Sequence, residues 1–225
     1  MEKEVYPMRI NKYLAFKKIS TRRGADELIK DKKVFINGKL AILGSQVREE
    51  DKVKVRGQKE SKYQYFAYNK PIGIETDSPK EGFFRGMFPL GRLDKNSHGL
   101  LVVTNDGRIT DRLLNPKYFH EKEYVVRTSN KLRGSFKQKM EAGVNIEGYQ
   151  TKKCKVKILS DYTFKVILTE GKKHQIRRMC SALFQEIEDL KRERIMNIKL
   201  GNLKDGALKE IKGEELKTFL NQVLK

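Results

Sequence analysis

The stretch Gly91-Arg92-Leu93-Asp94-Lys95-Asn96-Ser97-His98-Gly99-Leu100-Leu101-Val102-Val103-Thr104-Asn105-Asp106-Gly107 sets a single carboxylate, Asp94, in a basic loop bracketed by glycines. Arg92 stands two residues before the acid, and a Ser-His-Gly turn follows it. The apolar run 100–104 then reads as a strand, closed by a second turn at Asn105-Asp106-Gly107. An acid so placed is either a turn residue in a surface ion pair or a reactive group delivered to a cleft by a strand. Both readings stand on these residues alone.

Working outward, residues 63–69 alternate toward a strand that breaks at Asn69-Lys70-Pro71-Ile72-Gly73. Further strands are expected at 122–127, 153–159 and 162–169, and helices at 107–114, 131–141, 174–184 and 213–223. Strands and helices mix without a strict βαβ alternation. The expected fold class is therefore α+β, a mixed, mainly antiparallel sheet with flanking helices and a central cleft. A second site-like segment runs Thr169-Glu170-Gly171-Lys172-Lys173-His174-Gln175-Ile176-Arg177-Arg178-Met179. Here a glycine turn delivers a strand into a helix whose start is densely basic, and helix N-termini already favour anions. Lys172, Lys173, Arg177 and Arg178 thus suggest a phosphate site, against the alternative of a solvated basic face. Arg177 and Arg178 are adjacent and point in different directions, so one can face a cleft. A third segment, Glu121-Lys122-Glu123-Tyr124-Val125-Val126-Arg127, puts Tyr124 in an apolar strand, where core packing is the competing reading.

Ahead of these, residues 8–56 form a pattern of their own. Met8-Arg9-Ile10-Asn11-Lys12-Tyr13-Leu14-Ala15-Phe16 has apolar residues at helical spacing, and Ser20-Thr21 caps a second helix in which Ala25, Leu28 and Ile29 point inward. Val34-Phe35-Ile36 reads as a strand before the hairpin dipeptide Asn37-Gly38, and Val53-Lys54-Val55 as a last strand ending at Gly57. Lys17, Lys18, Arg22 and Arg23 cluster around the corner between the helices. Gln58-Lys59-Glu60-Ser61 is polar enough to be a linker, which divides the chain into domains 1–60 and 61–225.

Charge selects the class of partner. The 225 residues carry 49 Lys+Arg against 29 Asp+Glu, a net +20. Residues 1–61 hold +7 of this and the remainder +13, so the charge is not a detachable tail. A polyanion is the expected partner, since each neutralised phosphate releases counterions. No run approaches the roughly 20 apolar residues of a membrane span, the N-terminus lacks the apolar stretch of a signal peptide, and no strongly amphipathic basic helix stands out for a membrane surface. Cys154 and Cys180 sit in unrelated contexts and read as reduced thiols of a cytoplasmic protein. His98, His120 and His174 show no metal-ligand spacing. There is no P-loop, dinucleotide fingerprint or zinc-deaminase signature. Neither a metal nor a cofactor is expected.

These segments together resemble a known family. Arg9 to Tyr13, Ser20 to Asp26 and Val34 to Lys39 are similar to the S4-type (alpha-L) RNA-binding domain. Gly91 to Leu101 resembles the catalytic motif of the pseudouridine synthases, in the RsuA-like branch that modifies small- and large-subunit ribosomal RNA. Lys70-Pro71-Ile72-Gly73, Lys122-Glu123-Tyr124 and Gly171 to Met179 resemble three further motifs of that branch, in its order. Thr151 to Val156 and Arg194 to Ile198 further resemble the F group among the branch's large-subunit enzymes. The segment between Gly73 and Gly91 is shorter than is usual there, which bears on the RNA target and not on the chemistry.

The resemblance implies isomerisation of a uridine in structured RNA, most plainly ribosomal RNA, by a monomer needing no cofactor. It implies Asp94 as nucleophile or as base at the sugar, without deciding between them, with Arg177 as its ionic partner. Tyr124 would stack beneath the uracil and Leu168 wall the pocket. Arg92 would contact the space the base vacates, while Lys70, Lys172, Lys173, Arg178 and, in the N-terminal domain, Arg9, Lys12, Arg22 and Arg23 would contact RNA. A transfer-RNA stem-loop is the alternative substrate. A non-catalytic ribosome-assembly factor is the alternative class, and it predicts loss of Asp94, Tyr124 or Arg177, all of which are present.

Overall fold

The computed structural model describes residues 6–17, 19–57, 63–76 and 86–224. Lys18, the expected linker Gln58 to Ser61, and residues 77–85 of the short segment before Gly91 lie outside the described residues. By packing, the chain divides into two compact units, one of residues 1–64, 84–88 and 104–108 and the other of the rest.

In the first unit the chain pairs before it coils. Met8–Arg9 (β1) is antiparallel to Gln46–Val47 (β4), so the expected first helix begins only at Ile10 and runs Ile10–Phe16 (α1). The second helix, Arg22–Lys30 (α2), starts where expected, because the Thr21 side chain accepts the Gly24 amide at 3.0 Å. Asn11 Nδ2 donates to Asp26 Oδ1 at 3.0 Å and ties the two helices together. Val34–Ile36 (β2) and Lys39–Leu40 (β3) form a hairpin whose turn residues, Asn37 and Gly38, both take positive φ (51° and 81°), the conformation a two-residue turn requires. Val53–Val55 (β5) closes the sheet on the other side of β2. Ile10, Leu14, Ala25, Ile29, Val34, Ala41 and Val47 fill the small core, with Leu28 packed at its margin.

The second unit is built on a nine-stranded sheet. Its elements follow in chain order: Tyr65–Lys70 (β6), Phe88–Leu90 (β7), His98–Thr104 (β8), Ile109–Leu114 (α3), Lys122–Thr128 (β9), Phe136–Glu141 (α4), the small hairpin Asn145–Ile146 (β10) and Tyr149–Gln150 (β11), Lys155–Ser160 (β12), Thr163–Leu168 (β13), Gln175–Ala182 (α5), Ile187–Ile195 (β14), Ile198–Lys199 (β15), Leu208–Glu210 (β16) and Gly213–Val223 (α6). The main path across the sheet is β12-β13-β9-β14-β8-β6-β16. All registered pairs in it are antiparallel except β8 with β14. Arg133-Gly134-Ser135 forms a turn, so α4 starts at Phe136 rather than at the expected 131; glycine disfavours a helix interior.

The strand β14 was not expected, although it lies at the centre. Six of the nine residues of Ile187-Glu188-Asp189-Leu190-Lys191-Arg192-Glu193-Arg194-Ile195 are charged, which masks the strand pattern. Tertiary pairing accounts for those charges. On one face Glu123 of β9, Lys165 of β13, and Glu193 and Arg194 of β14 form a ladder, with Lys165 Nζ 3.1 Å from Glu123 and 2.8 Å from Glu193, and Arg194 Nε 3.1 Å from Glu123. The opposite face carries Val126, Phe164, Val166, Leu168 and Leu190, packed under α4 and α5 by Phe136, Met140, Ile176, Met179 and Cys180. Phe136 meets Phe164 edge-on, with ring centroids 4.8 Å apart. Toward the start of β9 this apolar face gives way to Lys122 and Tyr124.

Candidate active site

Residues Gly91 to Ser97 join β7 to β8, and several bonds fix them. Thr76 Oγ1 donates to Leu93 O at 2.7 Å and accepts from Leu93 N at 3.0 Å, clamping the residue before Asp94. The Ser97 amide donates to Asp94 O at 3.0 Å, and the Gly73 amide to Lys95 O at 2.9 Å. Gly99 takes φ +101°, and a Cβ there would lie 2.4 Å from Arg192 O. Only glycine therefore allows β8 to approach β14 here, where Gly99 and Arg192 are paired.

On the other wall, the turn 170–174 leads into α5. Glu170 is buried and accepts from Gln175 Nε2 (2.8 Å), the Lys152 amide (2.9 Å) and the Tyr149 hydroxyl (2.6 Å). Gln175 Oε1 in turn accepts the Lys172 amide at 2.8 Å. His174, left-handed at φ 51°, caps the helix and brings Nε2 to 3.5 Å from Asp94 Oδ1. Arg177 Nε lies 4.0 Å from Asp94 Oδ2, while its Nη2 donates to Asn96 O at 2.8 Å and Ser97 Oγ at 3.2 Å. Arg177 thus straps the loop more tightly than it touches the carboxylate. His174, absent from the expected site, is nearer to Asp94; its only signal in the sequence was its place at the helix start.

The result is a cleft of about 480 Å³. Asp94, Arg92, Lys172, Lys173 and His174 line it from the loops, Tyr124 and Leu168 from the sheet. The register puts Tyr124 opposite Val166 and Lys122 opposite Leu168, so these side chains share the sheet face that α5 covers. Burial pushes the Lys122 ammonium down to about 8, with the nearby Arg192 charge adding to the effect.

Two expected RNA contacts are placed elsewhere. Lys70 is fully buried, not a surface ligand: its Nζ donates to Pro71 O (2.8 Å) and Ile74 O (2.6 Å), folding the 71–76 loop around it. Burial lowers its pKa, and the Asp94 charge opposes that shift. Arg178 turns away from the cleft, donating to Ile146 O at 3.0 Å and Glu147 Oε2 at 2.7 Å, as adjacent residues on a helix must diverge. Arg9, Lys12, Arg22 and Arg23 are all at least partly exposed on the first unit.

An acid in a cationic cleft, facing an aromatic on a mixed sheet, together with a basic two-helix module, defines an RNA-modifying enzyme. Comparison with known proteins makes the class specific. Residues 64–182 match the family described as RNA pseudouridylate synthase and residues 8–53 match the S4 domain. The chain is 40% identical over 223 residues to "Dual-specificity RNA pseudouridine synthase RluF" of Escherichia coli O6:H1, covering 93% of this chain and 77% of the relative. It is 33% identical over 229 residues to "Ribosomal large subunit pseudouridine synthase B" of Bacillus subtilis, covering 93% and 94%. A crystal structure of a pseudouridylate synthase superimposes with a TM-score of 0.70 at 26% identity, covering 96% of this chain and 99% of that one. The chain belongs to the RsuA family of RNA pseudouridine synthases that carry an S4 domain. It is an isomerase that converts uridine in RNA to pseudouridine. Among the described residues, no helix is long and apolar enough to cross a membrane.

Proposed function

We propose that the protein acts on a specific uridine of large-subunit ribosomal RNA, as a cytoplasmic monomer with an S4 domain at 1–60 and a catalytic domain at 61–225. The observation that carries the reading is the position of the Asp94 carboxylate, within 4.0 Å of both His174 and Arg177 and sharing a cleft with Tyr124. The name of the Bacillus subtilis relative favours large-subunit RNA. The dual specificity in the name of the Escherichia coli relative favours testing a second RNA, and a transfer-RNA stem-loop is the reading to test.

Isomerisation breaks N1–C1′, turns the base and joins C5 to C1′, with the C5 proton lost and one gained at N1. There is no redox change, so the scheme calls for no metal or cofactor. Asp94, beside the Arg177 guanidinium and the His174 imidazole, attacks C1′ or removes a proton from the sugar. Tyr124 supports the uracil face, with its hydroxyl available for the C5 proton, and Leu168 walls the site. Extrusion of the base costs a few kcal/mol. Arg92, at the cleft's exposed mouth, occupies the vacated stack, and Lys172 and Lys173 hold the flanking phosphates, with Arg9, Lys12, Arg22 and Arg23 gripping neighbouring RNA.

Asp94→Asn is expected to lower pseudouridine formation by at least about 10²-fold with RNA affinity retained. Turnover within about tenfold of wild type would overturn the assignment. Carbodiimide mapping of ribosomal and transfer RNA from cells lacking the gene identifies the uridine; loss of a transfer-RNA site alone would replace the ribosomal reading.

A further inference from the structure

Two buried cations in the cleft remain outside the scheme. Arg192 on β14 is 2% exposed and Lys122 on β9 is 8% exposed. Cations so buried are ordinarily paired with a carboxylate, yet among the described residues neither forms an ion pair. Arg192 Nε donates to Leu100 O at 2.7 Å, which fixes the guanidinium plane, while its Nη2 is buried with no partner. Lys122 Nζ has only a 3.5 Å contact with His120 O. Leaving such donors unmet costs more than a made bond returns.

We propose that Arg192 and Lys122 together form the recognition site for the carbonyl edge of the extruded pyrimidine, selecting uracil over cytosine. The inference rests on the reading that Asp94 faces the reacting nucleotide. Its geometry comes from the register: Arg192 is the direct cross-strand partner of Tyr124, and Lys122 precedes Tyr124 by two residues, so all three side chains leave the same sheet face. Neighbours on one face lie roughly 5 Å apart across strands and 7 Å along one. A base lying over Tyr124 therefore has its edge within reach of both cations.

The donor inventory decides what that edge can be. Guanidinium and ammonium groups donate and cannot accept. Uracil offers carbonyl oxygens at C2 and C4. Cytosine places an amino group at C4, whose N–H bonds would confront buried donors. Phosphate has better ligands in the exposed Lys172 and Lys173 at the mouth, where it stays hydrated. The fixed Nε bond keeps Arg192 from swinging to a different partner, so the site is formed before the base arrives.

The test uses an RNA oligonucleotide containing the mapped uridine, and the same RNA with 2-thiouridine or 4-thiouridine there, sulfur being the weaker acceptor. Rates of pseudouridine formation are measured for wild type, Arg192→Gln, Arg192→Lys and Lys122→Met. The expected result is a loss of kcat/KM of about 10- to 100-fold when one of the two oxygens is replaced in the wild type, a similar loss in Arg192→Gln or Lys122→Met on uridine, and little further loss when both changes are combined. Arg192→Lys should recover part of the rate. Thio losses equal in wild type and in both variants would reduce these residues to a structural role and overturn the inference, as would uridine rates within threefold of wild type in both. If Arg192→Gln does not fold, Lys122→Met, which removes a buried charge, gives the answer alone. A wild type that modifies no uridine RNA would instead refute the proposed function.

Discussion

Replacing Lys122 by Met should make the protein more stable and less active. Burial takes the lysine from its ordinary 10.5 to about 8. That fall of about 2.5, at about 1.4 kcal/mol for each tenfold, is a cost of about 3 kcal/mol at neutral pH. The unfolded lysine holds its proton up to 10.5, while the folded one releases it near 8. Between these values the unfolded state binds more protons, so wild-type stability rises with pH. Below pH 8 both states are charged and the whole cost is present. Above about 10.5 both are neutral and it is gone. Methionine fills a similar volume, and the bond given up is a 3.5 Å contact with His120 O, so little is lost in return. Urea unfolding at pH 7, 8.5 and 10 should therefore show Lys122→Met ahead of wild type by about 3 kcal/mol at pH 7, with the difference shrinking across the series. A variant less stable than wild type at pH 7, or a difference that stays flat with pH, would refute the reasoning.

Gly99→Ala should cost about 3 kcal/mol or more, because its methyl meets the Arg192 carbonyl oxygen at 2.4 Å; thermal unfolding checks this, and a shift of less than a few degrees would mean that β8 and β14 can separate. Thr76→Val leaves Leu93 N and O without their buried partner, at about 1–3 kcal/mol, and should lower kcat with RNA affinity unchanged, since only the Asp94 loop is released. RNA affinity should fall by on the order of 10³-fold between 50 and 200 mM salt if about six phosphates are neutralised, as filter binding would show; a shallow slope would mean that few of the basic residues meet the backbone.

The local signals in the sequence carried a large part of this structure, and their failures have a common cause. The Asn37-Gly38 hairpin, the Thr21 cap and the strands at β9 and β13 depend on a residue and its near neighbours, and the structure has them within a residue or two. Asp94, Tyr124, Leu168, Lys172 and Lys173 do line one cleft. What remained hidden depends on distant partners. The strand β14 looks too charged to lie in a sheet until Glu123 and Lys165 stand beside it. Lys70 reads as a surface cation until the carbonyls of Pro71 and Ile74 close over it. His174 had no local mark beyond its place at the helix start and Arg192 had none, because one is placed by an unusual backbone turn and the other by a glycine 93 positions earlier.

The parallel contact between β8 and β14 has a mechanical consequence. Between β8 and β14 only two residue pairs are in register, Lys191 with His98 and Arg192 with Gly99. On one side of that seam lies β8, which follows the loop that carries Asp94; on the other lie β9, β13 and β14, which carry Tyr124, Leu168 and Arg192. The loop of the reactive acid and the floor beneath the base thus belong to two panels of one sheet, joined by two backbone pairs and by the bonds of Arg192 to Leu100 O, of His98 to Asp189 and of Arg177 to the Asp94 loop. A small rotation of one panel against the other changes the spacing of acid and floor without altering a residue that touches RNA. Substitutions at His98 and Lys191, which lie on this join but do not line the cleft, give a means of tuning catalysis separately from recognition.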